Sequence, residues 1–360
     1  MSHAILRRSG VLIGDRTIQV PAGASIQQAL NELPPVLGGA ITVQLAGTKS
    51  AVAVYNPAQT VVFDKHCMKN SPVCLKAASG AQTQVMQACG GGATWLTVLK
   101  SALSGTLSGE WAGAHLTVVS DDAACGNLRW VDASGAVSSS ADGTTPGDGS
   151  AWKFTVTSAF SGSPDTSTRF VLNACVLSLP SSDVIRVATT GGGSLRLENL
   201  ALQGRTKISK GATVVAASCV FCGSTSFSGV MVSGEFLSDS EAPFHIVGNN
   251  GYGLWVVDGG LARLIFTSAK PGYISKNSGS DGGVTIVKTL PGGTVTLSYC
   301  VLERNDCYAV LIQAGWGQID NCTFIGDAEQ VKIVSSNSSG IATNANTGAT
   351  EVALNGGVFD

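Results

Sequence analysis

Three pairs of acidic residues stand close enough along the chain to act on one bond: Asp239 with Glu241, Glu303 with Asp306, and Asp327 with Glu329. Hydrolysis of a glycosidic bond uses such a pair, one carboxyl protonated and the other ionised, roughly 5–9 Å apart. With 24 acids in the chain, some adjacency arises by chance, and each pair equally suits a solvated turn. Thiols offer a second chemistry. Cys219 and Cys222 form the one closely spaced pair, whereas a structural zinc site wants two. The four histidines, His3, His66, His115 and His245, have no metal-binding spacing. A Gly-rich phosphate loop and a G-x-S-x-G nucleophile elbow are both missing from the sequence. No metal site and no cofactor are therefore expected.

The elements that must carry these residues show themselves through a recurring pattern, apolar-x-apolar-x-x-(Leu or Cys)-x-(Leu or Phe). It reads Leu195, Leu197, Leu200, Leu202, then Val214, Ala216, Cys219, Phe221, and later Val295, Leu297, Cys300, Leu302. Weaker copies are Phe170, Leu172, Cys175, Leu177, then Ile319, Cys322, Phe324, and finally Val352, Leu354, Phe359. Side chains alternate along a strand, so two inward residues of one parity followed by two of the other require a bend between two short strands. Neighbouring copies recur at about 22 residues, a period that belongs to stacked coils rather than to separate globular domains. Cys175, Cys219, Cys300 and Cys322 share one slot with Leu200, where free Cys serves as a small buried hydrophobe. Cys222 falls at the turn, away from Cys219. A β-sandwich of short strands is the alternative, but it gives no reason for the bend to keep its phase.

Composition agrees with coils. Glycine fills 45 of 360 positions and charged residues only 13%, against roughly 7% and 25% in ordinary domains. With 44% apolar residues and a mean hydropathy of +0.25, the chain can bury a large core, which excludes disorder. A net charge of −2 leaves no basic footprint for nucleic acid. No run approaches the roughly 18 apolar residues of a membrane span. Arg7 and Arg8 are followed by too short an apolar run, Val11 to Ile13, for a secretory signal, which points to folding in a reducing cytosol with free thiols.

The opening is more specific. Val20-Pro21-Ala22-Gly23-Ala24 leads to Ser25 as an N-cap and to a helix with Ile26, Ala29 and Leu30 on one face. Pro34-Pro35 ends it, and Gly38-Gly39 precedes an alternating strand through Ile41, Val43 and Leu45. This arrangement, with the coil copies, resembles the pectin-lyase-like right-handed parallel β-helix proteins over about residues 18–48 and 168–360. The resemblance implies an all-β solenoid with an N-terminal capping helix. The division expected is an attachment arm at 1–20, capping helix and first coil at 21–48, irregular early coils or an inserted β-domain at 49–168, and regular coils at 169–360.

Members of this class often bind or cleave polysaccharides, and the resemblance carries no catalytic residue onto this chain. No calcium cluster with an Arg or Lys base, as a pectate-type lyase needs, is legible. A β-helix chain with few charges and no signal peptide looks most like a bacteriophage virion protein of the tailspike or tail-fibre kind. The resemblance implies a structural, receptor-binding component, assembled as a homotrimer in the host cytoplasm and anchored to other virion proteins through its N-terminal arm. Host surface polysaccharide is the ligand it implies, with Trp255 and Trp316 as the late-coil residues able to stack on sugars. Two alternatives stay open: a depolymerase, hydrolase or lyase, on the same fold, and a capsid decoration or head fibre.

Overall fold

The computed structural model describes residues 11–12, 14–67, 72–121, 128–140, 149–188, 193–278, 284–286, 292–305, 308–313, 315–326, 329–334, 340–348, 352–355 and 358–359. Parallel strands stack coil upon coil into three walls. The first wall is an eleven-stranded parallel sheet running from Arg16–Val20 through Ser194–Glu198 to Val358–Phe359. The other two walls belong to one fifteen-stranded sheet, which the long strands Cys175–Val187 and Ala201–Ile208 carry around a corner. Its first arm, the second wall, includes Val220–Cys222, His245–Val247, Gly272–Ser275 and Cys300–Glu303. Its other arm, the third wall, includes Val230–Val232, Leu254–Val256 and Val284–Ile286.

The bend inferred from the repeat is a single residue. Asn199, Ser218, Tyr299 and Asn321 have φ of 58°, 47°, 53° and 53°. Left-handed backbone turns the chain between the first and second walls and shifts the side-chain parity. Leu197, Ala216, Leu297 and Ile319 before it, and Leu200, Cys219, Cys300 and Cys322 after it, are therefore all buried. Leu202, Phe221, Leu302 and Phe324 complete the inward set. Like positions pile up along the axis: Ile41, Val73, Leu195, Val214, Phe236, Ala262 and Val295 are successive partners in register. Size is balanced between rungs. A Cβ on Gly272 would lie 2.1 Å from the Phe266 ring, and that ring packs 5.3 Å from Phe244.

A second corner follows the second wall, with Gly223, Gly248, Lys276 and Arg304 at φ of 61°, 65°, 55° and 48°. The next residue in three coils is a buried asparagine. Asn249 Nδ2 donates to Asn277 Oδ1 at 2.9 Å, and Asn277 Nδ2 donates to Asn305 Oδ1 at 2.9 Å. Each amide also donates to a main-chain carbonyl, of Phe221, Ile246 and Ile274 respectively. This ladder supplies buried turn groups with partners that water cannot reach.

Near the start lies one short helix, α1 (Ile26–Asn31), whose first turn is closed by Gln28 N–H donating to Ser25 Oγ at 3.1 Å. Ile26, Ala29 and Leu30 join the core. Within the expected arm, Arg16–Val20 is a strand paired in parallel with Ile41–Leu45, so the solenoid begins earlier than residue 21; residues 1–10 lie outside the described residues.

The stack is interrupted between Val73–Lys76 and Cys175–Val187. There the strands Met86–Gln87, Gly90–Gly92, Trp95–Leu99, His115–Ser120, Leu128–Ser139, Ala151–Val156 and Arg169–Asn173 form a seven-stranded sheet whose pairs are all antiparallel. Arg169–Asn173 pairs with His115–Ser120, so the regular coils resume at Cys175 rather than at 169. Ala53–Tyr55 and Val61–Phe63, by contrast, are solenoid strands. The antiparallel sheet lies on the outer face of the second wall, where Val119 and Val171 pack on Val220, Cys222 and Val247. Cys222 therefore ends a strand rather than sitting in the turn, facing outward beneath this cover while Phe221 faces the core. Among the described residues, no helix is long and apolar enough to cross a membrane.

Candidate functional site

Of the acidic pairs, Asp239 with Glu241 lies within the described residues, and its two carboxylates take different partners. Asp239 accepts from Arg196 Nη2 at 2.7 Å, and that bond holds its carboxyl below the ordinary range. Glu241 donates its main-chain N–H to Asp239 Oδ1 at 3.1 Å, but its side chain points into solvent, 75% exposed, beside Lys270 at 3.5 Å. Glu303 occupies an outward position on the second wall, yet it is only 1% exposed because the antiparallel sheet covers it. There it accepts the main-chain N–H of Asp121 at 3.0 Å, and burial raises its pKa above the usual value. Asp121, itself buried, pairs with Lys276 at 2.7 Å and Arg304 at 3.4 Å. These groups fasten the sheet to the solenoid. Asp306, Asp327 and the Glu329 side chain lie outside the described residues.

The two tryptophans stand on different walls. Trp316 is on the first wall, 37% exposed, with Thr294 and Gly340 as its neighbours in register. Trp255 projects from the third wall between Met231 and Thr285 and has aromatic company. Tyr252 lies 5.4 Å from it at 49° between ring planes, and Phe227, 38% exposed, lines the same groove. Asn250, Ser226 and Ser278 supply polar edges to this groove of about 370 Å³.

Coil geometry assembles these residues. Phe227 and Tyr252 sit in loops of adjacent coils, between the second and third walls, and Trp255 is the middle residue of the strand that follows, Leu254–Val256. Gly251 permits close contact, since a Cβ there would fall 2.5 Å from the Phe227 carbonyl oxygen. Asn250 Nδ2 donates to the Thr225 carbonyl at 2.9 Å, and Ser278 Oγ donates to Asn250 Oδ1 at 3.2 Å, joining three loops. Arg205, ion-paired to the buried Asp183, lies 4.3 Å from the Phe227 ring centroid. The indole N–H of Trp255 is buried and has no acceptor among the described residues. Aromatic faces beside exposed amides and hydroxyls suit a ligand with apolar C–H faces and a hydroxyl rim. Trp255 was singled out from the sequence, and Tyr252 belongs to the turn before it. Phe227 carries no sequence signal of its own, because only the stacking of coils brings it to the tryptophan.

Among the described residues, the thiols join no group of metal-ligating side chains. Cys175, Cys219, Cys300 and Cys322 are buried and unbridged. Burial drives the Cys175 and Cys219 thiols up to about 12, far from the reactive thiolate.

No family model matches this chain, and no curated protein matches it. Among solved structures, it is similar to the tailspike gp61 of Pseudomonas phage phi297, with 11% identity, 92% of this chain and 67% of that one covered, and a TM-score of 0.27. It is also similar to the Gp54 tailspike of Acinetobacter baumannii bacteriophage AP22, solved in complex with A. baumannii capsular saccharide. There the identity is 11%, the coverage 89% of this chain and 64% of that one, and the TM-score 0.23. This chain thus spans less than two thirds of the second protein. The class is defined by the strand register: a parallel β-helix carrying an antiparallel sheet on one wall.

Proposed function

We propose that the protein is a bacteriophage virion component of the tailspike or tail-fibre kind, which binds host surface glycan on the flank of a right-handed parallel β-helix. The observation that carries the glycan part is the groove of Phe227, Tyr252 and Trp255 edged by Asn250 and Ser278. Right-handed coiling follows the general rule for crossovers between parallel strands. Helix α1 acts as the cap on the first coils, residues before Arg16 as the attachment arm, and the assembled form is a homotrimer. Binding is favoured over cleavage because Asp239 is held by Arg196 and Glu303 is covered.

The test uses purified protein with capsule or lipopolysaccharide from candidate hosts. Binding is expected to fall about tenfold or more in Trp255→Ala and Phe227→Ala, a change of the size that losing one stacked aromatic produces, and to persist in Trp316→Ala. Unchanged binding in both groove variants sinks the assignment of the site. Release of oligosaccharides from the polymer moves the protein to the depolymerase class.

A further inference from the structure

A second cleft, of about 370 Å³, lies where the antiparallel sheet meets the solenoid on the side of the first wall. One side is built from Gln84, Gln87 and Arg169; the other from two successive coil bends that bring Glu241, Lys270 and Tyr273. Arg169 is fixed by donating to the carbonyls of Thr166 at 2.9 Å and Ser167 at 3.0 Å, and no carboxylate pairs with it among the described residues. Lys270 Nζ is steadied by donating to the Glu241 main-chain carbonyl at 3.0 Å, and the one carboxylate that meets it among the described residues is the exposed Glu241 side chain, at a loose 3.5 Å. An exposed pair of this kind contributes little and exchanges readily for another carboxylate. Two cations against one exposed anion make the cleft electropositive on a chain whose net charge is −2. His245 on the floor adds no charge, since burial pushes its pKa down to about 3. Tyr273 presents a hydroxyl with no hydrogen-bond partner among the described residues, its ring 5.5 Å from His245.

We infer that this cleft binds the acidic residue of a saccharide, a hexuronic or similar carboxylate-bearing sugar. Arg169 and Lys270 hold the carboxylate, and Gln84, Gln87 and Tyr273 meet the ring hydroxyls. The Glu241 carboxylate, already resting against Lys270, marks where the ligand's own carboxylate docks and is displaced by it. The inference rests on the glycan-binding reading but not on the aromatic groove, which lies between the second and third walls and contains no acid or cation in its lining.

The experiment titrates the full chain with a panel of acidic oligosaccharides (glucuronate, galacturonate, mannuronate and sialate types), each beside its carboxyl-reduced counterpart, at low and high salt. At least one acidic member is expected to bind about tenfold more tightly than its reduced form, the scale of one charge-assisted contact, and more weakly at high salt. Lys270→Gln and Arg169→Gln should each remove most of that preference, while Glu241→Gln should strengthen binding severalfold. Trp255→Ala should leave the preference intact. Lys270 and Glu241 lie at the surface, so their variants keep the test decisive where Arg169→Gln disturbs the turn. Equal binding of acidic and reduced forms, or a preference indifferent to Lys270 and Glu241, overturns the inference alone. A protein that binds host glycan through Trp255 but no acidic member also removes only this inference. A chain that binds no host glycan and no panel member removes the glycan reading as well.

Discussion

Asn277 is the middle rung of the buried ladder, receiving from Asn249 and donating to Asn305 and to the Ile246 carbonyl. Replacing it with Ala strands an amide above and the turn below without water to substitute. Asn277→Ala should therefore lower stability by about 1–3 kcal/mol, read as a shift in denaturant midpoint at constant slope. A loss no greater than that of a surface Asn would show that the ladder is decorative. Gly272 makes a steric claim of the same size: Gly272→Ala drives a methyl into Phe266 and should cost about 1–3 kcal/mol, whereas Ala at Gly90, where a Cβ meets open space and the backbone is not left-handed, should cost less. Both effects are checked by thermal unfolding of the paired variants. Single residues were legible unevenly. Cys219 and Cys300 announced the inward slot because they repeat in phase with Leu200. Asn249, Asn277 and Asn305 did not, since each follows a different residue, Gly248, Lys276 and Arg304, and their shared role is a matter of backbone conformation.

Among elements, the antiparallel sheet depends on a few polar fastenings to the second wall. Ser275 Oγ donates to the Val119 carbonyl at 2.6 Å, and Asp121 gathers Lys276 and Arg304 while its N–H meets Glu303. Asp121→Asn removes the anion that two cations share, and breaking a buried pair from one side costs about 3 kcal/mol. The expected result is faster hydrogen exchange in His115–Ser120 and Gly272–Ser275, with the first wall unchanged. Uniform loosening of every coil would mean that the fastening is not local. Sequence reading could not reach this arrangement. Ser275 and Val119 are 156 positions apart, and Glu303 and Asp121 are 182 apart. Antiparallel strands, moreover, leave no coil repeat to detect. Glu303 thus looked like an outward turn acid, because alternation reports which face a residue takes and not what lies over that face.

The whole molecule should respond to acid through two imidazoles. Burial pushes His115 down to about 4 and His245 down to about 3, from an ordinary 6.5. Above pH 6.5 their stability contribution is fully present. As pH falls below 6.5 the unfolded chain takes up protons that the folded chain refuses, so stability declines by up to about 1.4 kcal/mol per pH unit for each histidine, levelling off below the folded values. Glu303, with its raised pKa, acts in the opposite sense between its ordinary and raised values and offsets part of the loss. The melting temperature should fall from pH 6.5 towards 4, and His245→Gln should flatten the slope even though it lowers stability overall. An unchanged slope refutes the assignment. Assembly belongs to this scale as well. Ile265 and Trp316 leave apolar surface exposed on the first wall, and light scattering of the purified chain is expected to give a trimer mass; a monodisperse monomer at high concentration counts against it.

Among the described residues, the parallel ladders between coils run their main-chain hydrogen bonds along the solenoid axis, so a pull on the two ends loads the coils in series, like links of a chain. The antiparallel sheet spans four successive rungs of the second wall, holding Cys222, Val247, Ser275 and Glu303 from outside. It is a splint. Under tension, the rungs beneath it share their load with a second body, while the coils beyond it carry theirs alone. Rupture should therefore begin outside the splinted segment, and cutting the splint's anchor at Asp121 should bring the first break inside it.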